Sequence, residues 1–196
     1  MLNTFLHKLN GITNQLTNLV AHLLDVSKID KGSLEIEPEY FNITALVDKV
    51  AGDFCSLHND CNVKVEGELN KWVLADRFRI SQVLTNLIGN AIKYSQNSNE
   101  VVVQLEHLEP EKALRIKVQD FGMGIASEEQ TKLFKAFSRA ESALKSKIPG
   151  VGLGLHISSE IIKAHDGIIG ITSQEGQGST FYFTLPLDNQ IMKSAT

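Results

Sequence analysis

DRFRISQVLTNLIGNAIKYS (residues 76–95) sets the architecture of this chain, and two glycine-rich segments further along belong with it. Its apolar residues recur every three or four positions, which predicts a helix packed against a core. Asn86 and Asn90 interrupt that face one turn apart, although asparagine is a poor residue for a helix interior. Two amides aimed the same way suit Mg²⁺ or phosphate oxygens, and the alternative is a pair of ordinary surface asparagines.

The segment DFGMGI (residues 120–125) directly follows a strand-like run. Gly122 and Gly124 let the backbone approach a flat ligand closely and adopt positive φ angles. The carboxylate of Asp120 could accept a hydrogen bond from an exocyclic amine such as that of adenine, a charge-assisted bond worth roughly 1.5–3 kcal/mol. The pattern alone is a weak signal, because a simple strand-to-helix turn would also explain it.

The third segment, GVGLGL (residues 150–155), directly precedes a helical run. Backbone N–H groups at a helix start form an anion site, so these glycines are candidates for phosphate binding. The spacing matches neither the P-loop pattern nor the dinucleotide fingerprint. Alone the segment is ambiguous, but the three segments in this order predict a nucleotide pocket.

Composition sets the outer limits. The 196 residues, 42% hydrophobic and 21% charged, fit one good-sized domain or a smaller domain with an appendage. A net charge of −4 without a long basic run argues against nucleic acid as a partner. No apolar stretch reaches ~18 residues and no signal pattern is present, so we expect a soluble, cytoplasmic chain. Cys55 and Cys61 lack metal-site spacing and are expected to be plain thiols.

An apolar seam runs along the first residues with a period near 3.5, which is typical of a coiled coil or helix bundle. A helix of about 30 residues spans ~45 Å, so it must project from a compact domain or pair with another helix. Gly32 is well placed just past the end of that helix. We expect a dimerisation and signal-transmitting helix, and the alternative is a chain end that packs wherever it can. The seam residues are Leu2, Phe5, Leu9, Ile12, Leu16, Leu19, Leu23 and Val26.

The remaining chain reads as alternating helices and strands, with adjacent strands that look antiparallel, and predicts a sheet covered by helices on one face. Asn42 is a good N-cap for a helix, and Ser127 with Gln130 fits a capping box that opens a helix through Leu133. Residues 138–149 have no consistent period and are expected to form a mobile loop. The predicted helices cover 43–58, 76–95 and 152–165; the predicted strands lie around 63–65 and at 71–76, 101–107, 114–120, 168–173 and 179–185.

Four segments in this order resemble the boxes of the catalytic ATP-binding domain of sensor histidine kinases, in the wider family shared with gyrase, Hsp90 and MutL. They are NLIGNAIKYS (86–95, the N box), DFGMGI (the G1 box), FKAF (134–137, the F box) and GVGLGL (the G2 box). The resemblance implies an α+β fold, a two-layer α/β sandwich of the Bergerat ATP-binding type. Its sheet would be mixed and largely antiparallel with helices on one face, and residues 138–149 would form a flexible lid.

The stretch from residue 19 to residue 47 resembles the end of a dimerisation helix and its link to the kinase domain. The implied organisation is the second helix of a dimerisation hairpin at 1–32, a linker at 33–41, the ATP-binding domain at 42–187 and a tail at 188–196.

Carried over residue by residue, the resemblance implies a site for ATP or ADP with Mg²⁺. Asp120 would bind the adenine amino group, in a slot shaped by Gly122 and Gly124. Asn90 would be the Mg²⁺ ligand, with Asn86 one turn earlier near the phosphates and the metal. The other implied nucleotide-binding residues are Met123, Ile125, Phe134, Gly150, Val151, Gly152, Leu153, Gly154 and Leu155.

Three residues are implied to have a part in catalysis. Lys93 would contact phosphate while Tyr94 covers the nucleotide, and Arg139 lies where family members often direct an arginine toward the γ-phosphate. Asn86 completes the expected catalytic set of Asn86, Lys93 and Arg139.

One departure from the family concerns the phosphoacceptor histidine, which typically precedes an acidic residue and then Arg-Thr-Pro. None of the six histidines has this context, and His7 and His22 lie in what resembles the second helix of the hairpin. We therefore expect the acceptor helix outside this chain. The implied partners are a second copy through the N-terminal helix, the acceptor helix of the full-length kinase and a cognate response regulator. Membrane anchoring of the full-length protein stays open.

Two other functions compete with a kinase. ATP-hydrolysing machines related to gyrase usually carry a glutamate where Asn86 stands, and an amide cannot act as a general base toward water. A non-catalytic binding or dimerisation module would have kept the fold without the chemistry, which the full set of boxes disfavours.

Overall fold

The computed structural model describes residues 2–57, 62–67, 70–95, 100–110, 112–145, 148 and 150–187. The chain divides into two compact units, residues 1–35 and 36–196. Among the described residues, none of the helices is both long enough and apolar enough to cross a membrane.

The first unit is one helix, α1 (Leu2–Asp30). It ends where predicted: Gly32 has φ +63° and its N–H donates to the Ile29 carbonyl at 2.9 Å. Among the described seam residues, Leu16 is 60% and Leu23 47% exposed in this single chain, while Leu19 and Val26 are partly buried. The side chains from Leu2 to Ile12, including that of His7, lie outside the described part of the chain.

The second unit contains the remaining elements. They are β1 (Glu39–Asn42), α2 (Ile43–Leu57), β2 (Asn62–Glu66), β3 (Trp72–Ala75), α3 (Arg77–Tyr94), β4 (Glu100–Leu108), β5 (Ala113–Asp120), α4 (Ser127–Gln130), α5 (Glu141–Lys145), α6 (Gly154–Ala164), β6 (Ile169–Ser173) and β7 (Ser179–Pro186).

Five strands form the main sheet in the order β2-β4-β5-β7-β6, and β1 pairs with β3 in a small two-stranded sheet. Only β2 and β4 run parallel among these pairs. In the antiparallel centre, Ile116 of β5 is opposite Leu105 of β4 and Phe183 of β7. The expected α+β fold with a mixed, largely antiparallel sheet is confirmed.

The core lies between one face of this sheet and helices α2, α3 and α6. Along β5 the burial alternates residue by residue, so Leu114, Ile116 and Val118 point into the core. The intervening positions are polar, and Lys117 pairs with Glu106 of β4 on the other face at 2.5 Å. From α3 the buried residues are Ile80, Val83, Leu84, Leu87, Ile88 and Ala91. Burying each of the larger aliphatic side chains contributes about 1.5–3 kcal/mol.

Of the predictions made from local sequence signals, some are confirmed and others are wrong. The Asn42 cap is confirmed, since Asn42 Oδ1 accepts from the Ala45 N–H at 3.0 Å. The Ser127 capping box is wrong: the N-cap of α4 is Ala126, with no side-chain cap, and α4 ends at Gln130. The Gln130 side chain instead donates to the carbonyls of Ile125 and Ser173. The 138–149 segment, expected as a loop, contains the short helix α5. His58 and Cys61 lie outside the described residues.

Candidate functional site

Helix α3 is the element on which the site is built, and its start is fixed by Asp76. The Asp76 carboxylate accepts from the N–H groups of Arg79 at 3.0 Å and Glu37 at 3.1 Å. This N-cap satisfies an amide that the helix leaves without a partner. The Asp76 N–H in turn donates to Nε2 of His165, which closes α6. The start of α3 is therefore joined to the end of α6.

The two asparagines of α3 form a connected pair against α6. Asn86 Nδ2 donates to Ser158 Oγ at 2.9 Å, and Asn86 Oδ1 accepts from Asn90 Nδ2 at 3.4 Å. Gly154, one turn before Ser158, lies directly against the Asn86 amide, where a Cβ would overlap it. The N box and the G2 box thus meet at this point, which was not readable from either segment alone.

The other two glycines of GVGLGL also face site residues. Gly152 has φ +78°, and a Cβ on it would lie 2.6 Å from the Ser138 carbonyl oxygen. Any other residue at this position would be strained both by its backbone and by the close approach. A Cβ on Gly150 would lie 3.0 Å from Lys93 Nζ. The glycine segment therefore runs past α3 from Asn86 to Lys93.

Asp120 ends β5 with only 3% of its surface exposed. Its Oδ1 accepts from the N–H groups of Gly122 at 2.9 Å and Ser179 at 3.3 Å. Both hydrogen bonds that the described residues make to this carboxylate go to Oδ1, so Oδ2 receives neither. Burial raises the pKa of Asp120, and the two backbone hydrogen bonds oppose that shift without cancelling it.

Gly122 places this carboxylate beside the end of α3. A Cβ on Gly122 would overlap the Tyr94 carbonyl and lie 3.0 Å from Asp120 Oδ1. The N–H of Phe121 donates to Oγ of Ser95, the C-cap of α3, at 3.3 Å. The DFGMGI segment is therefore held against the end of the helix that carries the asparagines.

A second layer supports DFGMGI from the turn between β6 and β7. Ser173 Oγ accepts from the Ile125 N–H at 2.9 Å and contacts Ser179 Oγ at 2.9 Å. The Gly176 N–H donates to the Met123 carbonyl at 2.8 Å. Gly124, at φ +66°, approaches the Gln174 carbonyl so closely that a Cβ would overlap it. These contacts fix the backbone of the segment.

Lys93, Tyr94 and Arg139 gather where α3 ends. Lys93 Nζ lies 5.1 Å from the centre of the Tyr94 ring. Burial, with a smaller effect of the nearby Arg139 charge, lowers the pKa of Lys93. Burial raises the pKa of Tyr94, against the charge of Arg139 and a hydrogen bond from it. Within the described residues neither cation forms an ion pair with a carboxylate, an arrangement suited to an anion.

The Arg139 side chain has neighbours on two sides. It donates through Nη2 to the Ile148 carbonyl, while its buried Nε has no partner among the residues that the structure describes. It also lines a cavity of about 410 Å³ beside α4, together with four glutamates and Lys132. The glutamates are Glu128, Glu129, Glu141 and Glu175.

The remaining predicted site residues differ in how exposed their side chains are. Leu153 is 1% exposed and packs in the core, which leaves only its backbone for a ligand. Val151 is exposed, and Leu155 is partly exposed beside Gly154. Phe134 is partly buried, and its carbonyl lies 3.2 Å from His156 Nδ1.

Several residues that sequence reasoning missed support the site, namely Ser95, Gln130, Ser158, Ser173 and Ser179. Ser158 had a usable signal: it is a polar residue on the apolar face of α6, four positions after Gly154. The other four act across turns that bring distant segments together.

The sequence-predicted segments thus line one side of α3, with Asp120 at its end, Lys93 and Gly150 next to it, and Asn90, Asn86 and Gly154 further back. The donor set fits Mg²⁺, which takes few protein oxygens and keeps phosphates and waters. Among the described residues no three His, Cys, Asp or Glu side chains cluster as a metal cage. A carboxylate at one end, with amides and two cations that lack a carboxylate partner in the described part of the chain at the other, fits a base joined to phosphates.

Comparison with known proteins identifies the family of the chain. Residues 75–189 match the family described as histidine kinase-, DNA gyrase B- and HSP90-like ATPase. The chain is 35% identical over 185 residues to the sensor histidine kinase WalK of Bacillus subtilis, covering 93% of this chain and 30% of WalK. The chain spans less than a third of the length of the curated relatives it matches.

Two solved structures share the fold. Full-length ShkA in complex with AMPPNP aligns with a TM-score of 0.75 and 28% identity, over 88% of this chain and 36% of ShkA. The histidine kinase ThkA in complex with the response regulator TrrA aligns with a TM-score of 0.66 and 29% identity, over 91% of this chain and 50% of that one.

Proposed function

Since the chain belongs to the histidine kinase-, DNA gyrase B- and HSP90-like ATPase family, and within it to the ATP-binding catalytic domains of sensor histidine kinases, we propose that it binds Mg·ATP and transfers the γ-phosphoryl group to a histidine. That histidine belongs to a helix outside these 196 residues. The proposal rests on the placement of one buried carboxylate, two amides and two cations that have no carboxylate partner among the described residues, all beside α3.

The observation that carries the proposal is the Asp120 carboxylate beside Gly122. Oδ2 receives neither of the two backbone hydrogen bonds, which both go to Oδ1. A 6-amino group on a purine donates to a carboxylate in a way that a 6-oxo group cannot. The contact is worth roughly 1.5–3 kcal/mol, so it selects adenine over guanine. Gly122 and Gly124 let this segment pack against the carbonyls of Tyr94 and Gln174, which holds Asp120 beside the proposed adenine slot.

At the other end, Lys93 and Arg139 would neutralise phosphate oxygens, and the amides of Gly150, Gly152 and Gly154 would donate to them. Asn90 would hold Mg²⁺ through Oδ1. When bound, Mg²⁺ supplies charge neutralisation at the β- and γ-phosphates. Phosphoryl transfer needs positioning and charge stabilisation more than covalent help, which fits a site with no candidate nucleophile among the residues assigned to it.

In the transfer, the bond between the γ-phosphorus and the oxygen bridging to the β-phosphate breaks. A bond from an imidazole nitrogen of the acceptor forms, ADP leaves, and the imidazole proton passes to solvent. Lys93 and Arg139 would stabilise the charge that develops on the leaving oxygen and the transferring group.

Helix α1 would serve assembly. Its seam residues Leu16 and Leu23 are exposed in one chain, and a sustained apolar seam is stabilised by a partner helix. We propose that residues 1–32 pair with a second copy and with the acceptor helix, that 33–41 link, that 42–187 bind the nucleotide and that 188–196 form a tail. ThkA, a similar protein, is known in complex with a response regulator. We propose the same class of partner here.

Calorimetric titration with ADP and AMPPNP, with and without Mg²⁺, tests the binding step on the wild type and on Asp120→Ala. We expect binding strengthened by Mg²⁺ in the wild type and lost in the variant. Radiolabelled ATP tests the transfer: acid-labile phosphate should appear on an added dimerisation hairpin and not on this chain alone. Equal binding by wild type and Asp120→Ala would contradict the adenine assignment.

A hydrolytic ATPase of the gyrase kind is disfavoured by one contact. Asn86 holds the position where such enzymes use a glutamate, and both of its amide atoms are hydrogen-bonded to Ser158 and Asn90. Steady ATP hydrolysis without an acceptor would favour that function over transfer. A binding module without chemistry predicts no Mg²⁺-dependent affinity for ADP.

A further inference from the structure

The amide pair on α3 is anchored from α6 by one hydroxyl group. Ser158 Oγ accepts from Asn86 Nδ2 at 2.9 Å, and Asn86 Oδ1 accepts from Asn90 Nδ2 at 3.4 Å. Ser158 is 2% exposed, so it cannot touch a ligand itself. The result is a relay of hydroxyl, amide and amide that runs from the interior of the domain to the outer asparagine.

The direction of this relay determines which atom Asn90 offers. An asparagine side chain carries one oxygen and one NH₂ group, and a cation such as Mg²⁺ binds only the oxygen. In the observed arrangement the NH₂ group of Asn90 is directed to Asn86, which leaves Oδ1 for a ligand. If the Asn86 amide were reversed, its NH₂ group would face Asn90. Asn90 Oδ1 would then turn inward to accept from it and would no longer face a ligand.

The surroundings of Asn86 confine its amide to this slot. Gly154 lies against it on one side, where a Cβ would be 2.9 Å from Asn86 Cγ, and Ser158 lies one turn further along α6. We propose that Ser158 is a positioning residue for the Mg²⁺ end of the site, acting through Asn86 to direct Asn90 Oδ1 outward. The inference rests on the proposed function, because it needs a nucleotide whose binding Mg²⁺ strengthens.

The test is calorimetric titration of the full chain with ADP, once in Mg²⁺ and once in EDTA. Ser158→Ala removes the hydroxyl without adding bulk, and we expect about a tenfold loss of ADP affinity in Mg²⁺, as for partners that orient metal ligands. In EDTA the affinity should equal that of the wild type, because the adenine end is untouched. Ser159→Ala, at the neighbouring buried serine, is the matched control and should match the wild type in both conditions.

An equal loss for Ser158→Ala in Mg²⁺ and in EDTA would mean a general packing role and would overturn the inference, as would wild-type affinity in both. A second variant isolates the route. In an Asn86→Ala background, Ser158→Ala should cause no further loss, whereas additive losses would show that Ser158 acts independently of Asn86. If the wild-type chain fails to bind ADP, the proposed function itself is overturned. If the wild type binds ADP in a Mg²⁺-dependent way but Ser158→Ala has no effect, only the role of Ser158 is overturned.

Discussion

Asn86 of α3 and Gly154 of α6 are packed so closely that no side chain fits between them, since a Cβ on Gly154 would lie 2.9 Å from Asn86 Cγ and nearer still to Oδ1. The contact joins the helix that carries the amides to the first residue of the helix that follows the glycine segment. Glycine at this position therefore serves close approach between helices as much as any contact with phosphate.

Gly154→Ala should consequently damage both the fold and the site. The added methyl group must push α6 away or rotate Asn86 off Ser158, and overpacking of this kind costs about 1–3 kcal/mol of unfolding free energy. We expect Mg²⁺-dependent ADP affinity to fall about tenfold because Asn90 loses its support. Urea unfolding and calorimetry measure the two effects.

Gly52→Ala provides the matched control. Gly52 lies inside α2, and a Cβ there would meet nothing within 4 Å. Alanine at such a site stabilises by about 0.4–1 kcal/mol, chiefly through the unfolded chain. If both glycine variants behave alike, the close packing of Asn86 on Gly154 has no energetic weight.

Asp120→Asn should separate binding from folding. The amide oxygen can still accept from Gly122 and Ser179, but NH₂ replaces Oδ2 and opposes the adenine amino group. Loss of a charge-assisted bond of roughly 1.5–3 kcal/mol weakens ADP binding about tenfold or more. Because a buried ionised carboxylate is also removed, the free protein should be at least as stable as the wild type at neutral pH.

The pH dependence of the free protein checks the same residue. Burial raises the pKa of Asp120 above its unfolded value, so the folded state holds this proton more tightly. The contribution of Asp120 to stability is therefore complete below the unfolded pKa and is lost as pH rises through the folded pKa. Urea unfolding at a series of acidic to neutral pH values should show this loss in the wild type and not in Asp120→Asn. A parallel pH profile for the two proteins would rule it out.

Lys93→Gln should weaken the phosphate end only. Lys93 lies between Gly150 and the Tyr94 ring without an ion-pair partner in the described chain, so its charge is available to an anion. We expect ATP and ADP affinity to drop about tenfold, while adenosine affinity stays unchanged. Lys163→Gln, which breaks an exposed pair with Glu160 on α6, should leave nucleotide affinity unaltered.

Proton uptake provides an independent readout for Lys93. Burial and Arg139 lower its pKa, and a bound phosphate would raise it again by supplying opposite charge. ADP binding at a pH where Lys93 is partly deprotonated should therefore take up protons, seen as a heat that varies with the buffer's ionisation enthalpy. The uptake should vanish in Lys93→Gln; uptake that persists would assign the proton to another group.

The parts of the fold that the sequence predicted correctly are governed by neighbouring residues. Helix α3 follows from its apolar period, although Asp76, the first residue of the predicted helix, is its N-cap, and β5 follows from alternation up to Asp120. The Ser127 capping box failed because Gln130 finds better partners in Ile125 and in Ser173 of β6, which local spacing cannot reveal. The sequence analysis also missed the short helix α5, because residues 138–149 show no local periodicity that would predict a helix.

The residues of the site also fall into two groups, those that the sequence indicates and those that it does not. Its outer residues carry recognisable types and spacing, as Asn86, Asn90 and Asp120 do. Their supports do not: Ser158 is 72 residues from Asn86, and Ser179 is 59 from Asp120. The sequence around a serine in a helix or strand does not indicate which distant residue its side chain will hydrogen-bond. Such contacts become visible only when the packing of α6 and β7 is known.

A last prediction concerns the joint between α3 and α6. The Asp76 N–H donates to His165 Nε2 at 2.9 Å, and His165 Nδ1 donates to the Ile161 carbonyl at 2.8 Å, which requires a neutral ring protonated on Nδ1. Asp76 is 7% exposed, so His165→Leu leaves its N–H buried without a partner, at a cost of about 1–3 kcal/mol in unfolding free energy.

His107→Leu is the control, because the partner of His107 in the described part of the chain is the exposed Glu109 at 3.5 Å, and such pairs contribute about 0–1 kcal/mol. Urea unfolding compares the two variants. The joint lies at the end of α3 remote from Asn90, so the Mg²⁺ dependence of ADP binding should survive in His165→Leu while stability drops. Equal stability losses in both histidine variants would show that the link from Asp76 to His165 does not hold the two helices together, and a loss of Mg²⁺ dependence would show that the start of α3 controls the amides directly.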